Sequence, residues 1–136
     1  MTTVEQSLAD RLGILPGQNV RETGWDEDSD DALRAAVEKR TGHGLTGEDS
    51  EAVVDVALLW WRENDGDLAD GLVAAPAGLA DDGTIWLLTP KMGRDGHVEP
   101  SDIAEAATTA GLVQRASVPA GVNWNGTRLE IPRNSR

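Results

Sequence analysis

Apolar residues along this chain fall into two kinds of segment. Val53 to Leu59 is apolar except for Asp55, and Thr84 to Thr89 has the same nearly continuous character. Such runs are typical of strands that are buried on both faces of a parallel sheet. Three other segments have apolar residues on one helical face. They are Leu33, Ala36 and Val37; Leu68, Leu72, Ala75 and Leu79; and Ile103, Ala106, Ala107 and Ala110.

Capping residues set the expected limits of the three helices. We expect Asp28 or Ser29 to cap the first helix and Gly42 to end it, since acids and hydroxyls favour N-termini and glycine favours C-termini. Asp67 is the expected cap of the second helix. Pro100 and Ser101 open the third helix, and Gly111 stops it.

Turn residues separate the remaining strands. Asn19 to Thr23 or Gly24 is the first predicted strand, and the Asp81-Asp82-Gly83 sequence is expected to turn the chain into the Thr84 to Thr89 strand. Leu112 to Val118 and Thr127 to Ile131 are predicted to form a closing hairpin with Asn125 and Gly126 near its tip. Asn-Gly suits a tight hairpin turn.

This order of elements predicts an α/β protein with a three-layer architecture. Its sheet is open, mostly parallel and about five strands wide, with an antiparallel C-terminal hairpin at one edge. The 136 residues suit one domain, 1–136, with residues 1–14 as an N-terminal segment and residues 133–136 as a frayed tail.

Composition narrows the range of functions. The chain has no cysteine, which excludes disulfides, thiolate metal sites and a cysteine nucleophile. A net charge of −12 repels nucleic acid and anionic membranes, so we expect neither as a partner. The chain starts without a signal-peptide pattern and lacks an apolar run long enough to span a membrane, so we expect a cytoplasmic protein. Acidity that serves only solubility is an equally good explanation of the charge.

The most acidic stretch follows the first strand directly. Gly24, Trp25, Asp26, Glu27 and Asp28 stand where an α/β protein commonly has a glycine-rich cofactor loop. A phosphate ligand is disfavoured there, because repulsion of on the order of 1 to 4 kcal/mol per carboxylate exceeds the roughly 0.3 to 1 kcal/mol gained at a helix N-terminus.

Two structural alternatives remain for this acidic stretch. The acids favour the start of the following helix without any ligand. They also match the first positions of an EF-hand, but Asp31 and Val37 occupy the positions that need glycine and glutamate, so only a weak, non-specific cation site stays open.

All five aromatic residues are tryptophan, including the adjacent pair Trp60 and Trp61. Neighbouring residues on a strand point to opposite faces, so we expect both rings in the core, with a cleft position for one of them as the alternative. Lys91, Arg94 and His97 follow the Thr84 to Thr89 strand, at the sheet edge where α/β proteins bind ligands. They suit anion binding or proton transfer, but we favour a structural role that balances the acidic turn.

The second half of the chain resembles the C-terminal half of class I methyltransferases. The resemblance covers the Val53 to Leu59 strand, the Asp-Asp-Gly turn, the Ala80 to Pro90 segment and the return from Thr109 to Val118. Leu15 to Val20 is similar to the entry of the cofactor-binding strand. The resemblance implies a reduced Rossmann-like or methyltransferase-like fold.

The methyltransferase pattern is incomplete in two places. Glu22 and Gly24 match its cofactor loop, but Asp26 and Asp28 replace the later glycines. Only ten residues separate Gly42 from Val53, where the full fold has two more strands and a helix. The strand that carries the ribose-binding acid is therefore absent or vestigial, and that role is not assigned to Glu48, Asp49 or Glu51.

A closer resemblance extends over nearly the whole chain. The segments Gly24 to Asp28, Leu58 to Arg62 and Trp86 to Lys91 are similar to a small actinobacterial family of unknown function. That family brings no established activity.

Two functions are consistent with these patterns. The first is a non-enzymatic protein-binding or regulatory domain, with an unidentified protein partner, no cofactor and no metal. The second is a small-molecule-binding enzyme of the S-adenosylmethionine-dependent methyltransferase type. No catalytic residue is assigned. The predicted binding residues are Gly24, Trp25, Asp26, Glu27, Asp28, Trp60, Trp61, Lys91, Arg94 and His97.

Overall fold

The computed structural model describes residues 8–47 and 53–132. These residues include five strands and three α-helices. The strands are β1 (Val20–Thr23), β2 (Val54–Trp60), β3 (Leu79–Pro90), β4 (Val113–Pro119) and β5 (Trp124–Glu130). The helices are α1 (Asp31–Thr41), α2 (Leu68–Ala74) and α3 (Pro100–Thr109), and residues 8–11 are also helical.

The strands form one sheet in the order β1-β2-β3-β5-β4. β1, β2 and β3 are parallel, while β5 is antiparallel to both β3 and β4. The predicted open, mostly parallel sheet with an antiparallel C-terminal hairpin is confirmed. The carboxyl ends of β1, β2 and β3 meet at one edge of the sheet. The acidic residues from Gly24 to Asp31, which we call the acidic turn, follow β1 and therefore lie beside the residues that follow β2 and β3.

Alternating residues of β2 supply the two faces of the sheet. Val56, Leu58 and Trp60 join one core with helix α1 and residues 8–14, while Ala57 and Leu59 join a second core with α2 and α3. The sheet is therefore covered on both sides, as the unbroken apolar runs predict. In the part of the chain that the structure describes, no helix combines the length and apolar character needed to cross a membrane.

The second predicted helix and the turn after it differ from expectation. Asp67 caps α2 as predicted, but the helix ends at Ala74, and Leu79 already belongs to β3. Asp81, Asp82 and Gly83 lie inside β3 instead of forming a separate turn. Val54 pairs with Leu79 and Val56 with Thr84, so the register shifts across this segment and leaves both acids exposed.

The hairpin between β4 and β5 turns earlier than predicted. Asn125 and Gly126 are strand residues that pair with β3 and β4, and the turn lies at residues 120–123. A Cβ at position 126 would lie 3.1 Å from the Trp86 ring. Gly126 therefore makes room for a core tryptophan, and the Asn-Gly pair is not a turn signal here.

Candidate functional site

Gly24 directly follows β1 and has a backbone conformation that few other residues adopt. Its φ is +83°, and a Cβ at this position would lie 2.4 Å from the Trp60 carbonyl oxygen. Glycine is therefore required both by the left-handed conformation and by the close approach of two neighbouring strand ends. This turn directs Trp25 and the acidic residues over the carboxyl edge of the sheet.

Glu22 lies beneath this turn and is nearly buried. Its carboxylate accepts a hydrogen bond of 3.0 Å from the Trp60 indole and another of 3.1 Å from Arg34 Nε. The Arg34 guanidinium also lies over the Trp25 ring, 3.4 Å from its centroid, and Trp25 packs edge-on against Trp60. The acid that matches the methyltransferase motif is thus held by internal partners.

Arg62 occupies the space between the acidic turn and the end of β2. Its Nη1 donates 2.7 Å to the Gly24 carbonyl, its Nε donates 3.1 Å to Asp28 Oδ2, and its Nη2 donates 2.9 Å to Ser29 Oγ. The side chain is 9% exposed. A Cβ on Gly96 would lie 2.9 Å from Arg62 Cβ, so the loop after β3 closes over the other side. We call this arrangement the Arg62 clasp.

The Arg62 clasp shifts the titration of both charged partners. The hydrogen bond from Arg62 is the main cause that lowers the pKa of Asp28 below 3.8, and partial burial opposes it. Burial alone lowers the pKa of Arg62, but the hydrogen bonds and negative charges of Asp28 and Asp65 together outweigh burial and raise the pKa. Both groups are therefore ionised at neutral pH.

The acidic turn is divided between structural and exposed roles. Asp30 caps α1 by accepting from Ala32 N at 2.8 Å and Leu33 N at 3.2 Å, so the predicted cap at Asp28 or Ser29 is wrong. Asp28 and Ser29 are instead engaged by Arg62. Asp26 and Glu27 are exposed at the top of the turn.

The loop after β3, which carries Lys91, Arg94 and His97, meets the acidic turn only in part. Arg94 and Asp28 line the same cavity of about 380 Å³, together with Asp95 and Trp124. Lys91 N donates to the Asn123 carbonyl, and His97 Nδ1 lies 2.9 Å from the Pro90 carbonyl. His97 Nε2 lies 3.5 Å from Glu99 Oε2, away from the acidic turn. Among the described residues the cation paired with Asp28 is Arg62 and not one of these three.

The paired tryptophans point to opposite sides of the sheet, as their adjacency predicts. Trp60 is 1% exposed and stacks edge-on with Trp124, with centroids 4.8 Å apart. Trp61 is half-buried against the second core and lines a separate cavity near α2 and α3. Gly24, Trp60 and Asp28 therefore come together, whereas Trp61 does not join them.

Two important residues of this region were not predicted. The sequence patterns assign no binding role to Arg62 or to Trp124, whose indole donates 3.1 Å to the Asp28 carbonyl from the start of β5. A single arginine two residues after a buried strand, next to a strand that ends in acids, was the available signal for Arg62. Across residues 8–47 and 53–132, no group of three or more histidine, aspartate or glutamate side chains is placed to hold a metal ion. Glu48, Asp49 and Glu51 lie outside these residues.

Solved structures to which this chain is similar include methyltransferases. A TehB-like enzyme from Corynebacterium glutamicum gives a TM-score of 0.57 at 14% identity over 94% of this chain and 87% of its own. An enzyme from Aquifex aeolicus gives 0.58 at 12% identity, covering 92% and 88%. The glycopeptide N-methyltransferase MtfA, complexed with sinefungin, gives 0.59 at 15% identity, covering 94% and 92%. At this identity the likeness shows a methyltransferase-like fold alone.

Sequence relatives are found among the mycobacteria. Uncharacterised proteins of Mycobacterium tuberculosis and Mycobacterium bovis are each 53% identical over 128 residues, covering 94% of this chain and 80% of the relative. The profile described as "Protein of unknown function (DUF3052)" matches residues 9–133. The chain therefore belongs to the DUF3052 family of proteins of unknown function.

Proposed function

We propose that this protein is a non-catalytic protein-binding domain that retains a methyltransferase-like fold. The observation that carries the proposal is the Arg62 clasp. In open α/β sheets ligands bind at the carboxyl edge of the strands, and here Arg62 occupies the part of that edge between the ends of β1 and β2, where it bonds Gly24, Asp28 and Ser29.

The chemistry of the filled edge also favours binding over catalysis. Glu22 and Asp28 are both held by arginines, and the pKa of Asp28 is lowered, so Asp28 is a poor proton acceptor at neutral pH. The accessible part of the turn is a charged surface formed by Asp26 and Glu27 together with the exposed side of Asp28. Such a surface suits a basic protein partner.

The direct test is isothermal titration of S-adenosylmethionine and S-adenosylhomocysteine into the pure protein, with tryptophan fluorescence followed in parallel. We expect no heat of binding and no fluorescence change at millimolar ligand. Micromolar binding of either compound would overturn the non-catalytic proposal. Trp25 and Trp60 lie at the strand ends, so a ligand in the cleft would change their emission.

The second candidate is an S-adenosylmethionine-dependent enzyme. It is favoured by the positive-φ Gly24 directly after β1, with Glu22 two residues before it. This candidate requires the Arg62 clasp to open, because Arg62 bonds the Gly24 carbonyl in the closed form. The same titration decides between the two functions.

A further inference from the structure

A second cavity lies on the opposite side of the sheet from α1. It has a volume of about 490 Å³ and is open to solvent near α2 and α3. Its apolar lining includes Trp61, Leu68 and Val98, and its acidic residues include Asp102 and Glu105. We call it the α2–α3 groove.

A glycine inside α2 leaves space for the Trp61 ring in the α2–α3 groove. A Cβ on Gly71 would lie 2.6 Å from the Trp61 ring, and Gly71 is in the middle of α2. Glycine is unfavourable in a helix interior. Its presence here makes room for the indole against the helix and fixes one wall of the groove.

The charge in the groove has a single sign. Four of the eleven lining residues are acidic and none is basic: Glu63, Asp67, Asp102 and Glu105 are the acids. Asp67 is partly used, since it accepts from Ala69 N at the start of α2. Asp102 and Glu105 lie one helical turn apart on α3 and are exposed.

Two arginines elsewhere in the protein each lie near a tryptophan ring and bond a carboxylate. Arg34 stacks on Trp25 while bonding Glu22, and Arg62 lies 5.2 Å from the Trp124 centroid while bonding Asp28. In both places a guanidinium contacts an aromatic ring and a carboxylate. In the described part of the chain, Trp61 lines the same groove as four acidic residues, and neither arginine that lies over a tryptophan ring lies over Trp61.

We propose that the α2–α3 groove binds an arginine side chain in a basic segment of a protein partner. A guanidinium stacks on an indole and bonds carboxylates in a way that an ammonium group does not reproduce. Small-molecule pockets usually enclose most of the ligand's surface. Because this groove is open to solvent, its shape favours a side chain that is carried on a larger partner. The inference rests on the proposed protein-binding function and adds a second binding surface, on the other side of the sheet from α1, with an arginine side chain as its ligand.

The test follows the indole signals of ¹⁵N-labelled protein while a peptide is added. The probe is acetylated, amidated Gly-Arg-Gly-Arg-Gly, and the Trp61 signal is assigned by its loss in Trp61→Phe. We expect saturable movement of the Trp61 signal, with the signals of Trp60, Trp86 and Trp124 nearly fixed because their N–H groups are bonded internally. Movement of the Trp25 signal with a fixed Trp61 signal would overturn the proposal.

Matched variants separate the groove from bulk charge. Asp102→Asn with Glu105→Gln should weaken peptide binding at least fivefold, whereas Asp81→Asn with Asp82→Asn, which changes the net charge equally at exposed residues outside the groove, should weaken it less than twofold. Equal weakening would overturn the groove assignment. If the groove variant does not fold, the wild-type signal map decides alone.

Two further ligands test the proposed preference for arginine on a partner segment. The corresponding lysine peptide should bind at least threefold more weakly, and free arginine amide at least tenfold more weakly, than the arginine peptide. Free arginine amide binding as tightly as the peptide would overturn the assignment to a partner segment. Failure here leaves the proposed function untouched, since S-adenosylmethionine binding is measured separately at the strand ends.

Discussion

At the scale of single residues, Arg62 has the largest number of consequences. Its guanidinium satisfies the Gly24 carbonyl, the Asp28 carboxylate and the Ser29 hydroxyl while being almost buried. We expect Arg62→Met to lower the free energy of unfolding by about 2 kcal/mol, because it removes bonds from partners that are only partly able to reach water. Urea denaturation followed by tryptophan fluorescence measures this change.

Arg115→Met is the matched control for that substitution. Arg115 pairs with Glu130 at 3.1 Å, but its side chain is largely exposed. We expect a loss below about 0.5 kcal/mol, as is usual for surface ion pairs. Equal losses in the two variants would show that Arg62 acts as an ordinary surface arginine.

The pKa of Asp28 predicts how this stabilisation depends on pH. Since the Arg62 hydrogen bond lowers the pKa of Asp28 in the folded protein below 3.8, ionised Asp28 stabilises the fold above the unfolded value near pH 4. This contribution is lost as the pH falls through the folded value. The stability difference between wild type and Asp28→Asn should therefore be constant from about pH 5 to 7 and shrink below about pH 4.

Unfolding titrations of both proteins between pH 2 and 7 check this prediction. Asp26→Asn serves as the control, since Asp26 is an exposed acid of the same turn, like Asp28, but has no arginine partner among the described residues. A difference that stays constant down to pH 2 would contradict a lowered pKa for Asp28.

At the scale of elements, Gly24 determines how closely β1 and β2 end together. We expect Gly24→Ala to destabilise the protein by roughly 3 kcal/mol or to prevent folding, because positive φ costs about 1 to 2 kcal/mol and the new methyl would contact the Trp60 carbonyl. Gly111→Ala has a similar φ of +78° but no atom within 4 Å of the new Cβ. It should cost only about 1 kcal/mol.

Thermal and urea unfolding of the two alanine variants give the comparison. The difference between them isolates the close approach, since both pay for the same backbone conformation. If Gly24→Ala costs no more than Gly111→Ala, then the contact between the strand ends is not tight.

The same elements explain which parts of the fold the sequence predicts. Buried strands and capped helices are predictable, because apolar spacing and the Asp67 and Gly42 caps act over a few residues. The Asp81-Asp82-Gly83 segment and the Asn125-Gly126 pair were assigned to turns because their composition favours turns. Their roles depend on tertiary contacts, a register shift beside Val54 and the Trp86 ring, that no local pattern reports.

Prediction of the candidate site has the same limit. The sequence placed the acids at the carboxyl end of β1 correctly, since strand order fixes that edge. It did not predict Arg62 as their partner, because the contact joins residues 34 positions apart. Lys91, Arg94 and His97 are the partners that the sequence predicts, because they follow a neighbouring strand. Only the packed structure shows that Arg62, and not one of these three residues, bonds Asp28.

At the scale of the whole molecule, the sheet differs from the complete methyltransferase pattern at the outer edge of β1. One edge of β1 pairs with β2, and the other contacts only Thr46 among the described residues. Glu22 N donates 2.9 Å to the Thr46 carbonyl, and Thr46 N donates 2.9 Å to the Val20 carbonyl. Among the described residues, this single bridge stands where the methyltransferase resemblance places a further strand with its ribose-binding acid.

Two features therefore oppose cofactor binding, the Arg62 clasp and the reduced edge of β1, and one variant separates them. Arg62→Ala removes the side chain from the cleft and leaves the edge of β1 unchanged. We expect it to show no more heat with S-adenosylmethionine than the wild type, because binding in the methyltransferase pattern also needs a ribose contact, and in residues 8–47 and 53–132 the outer edge of β1 has only the Thr46 bridge. Circular dichroism and the tryptophan spectrum establish that the variant is folded before titration. Micromolar binding by Arg62→Ala alone would instead mean that Arg62 is the barrier, and that this fold retains a cofactor site which the native chain keeps closed.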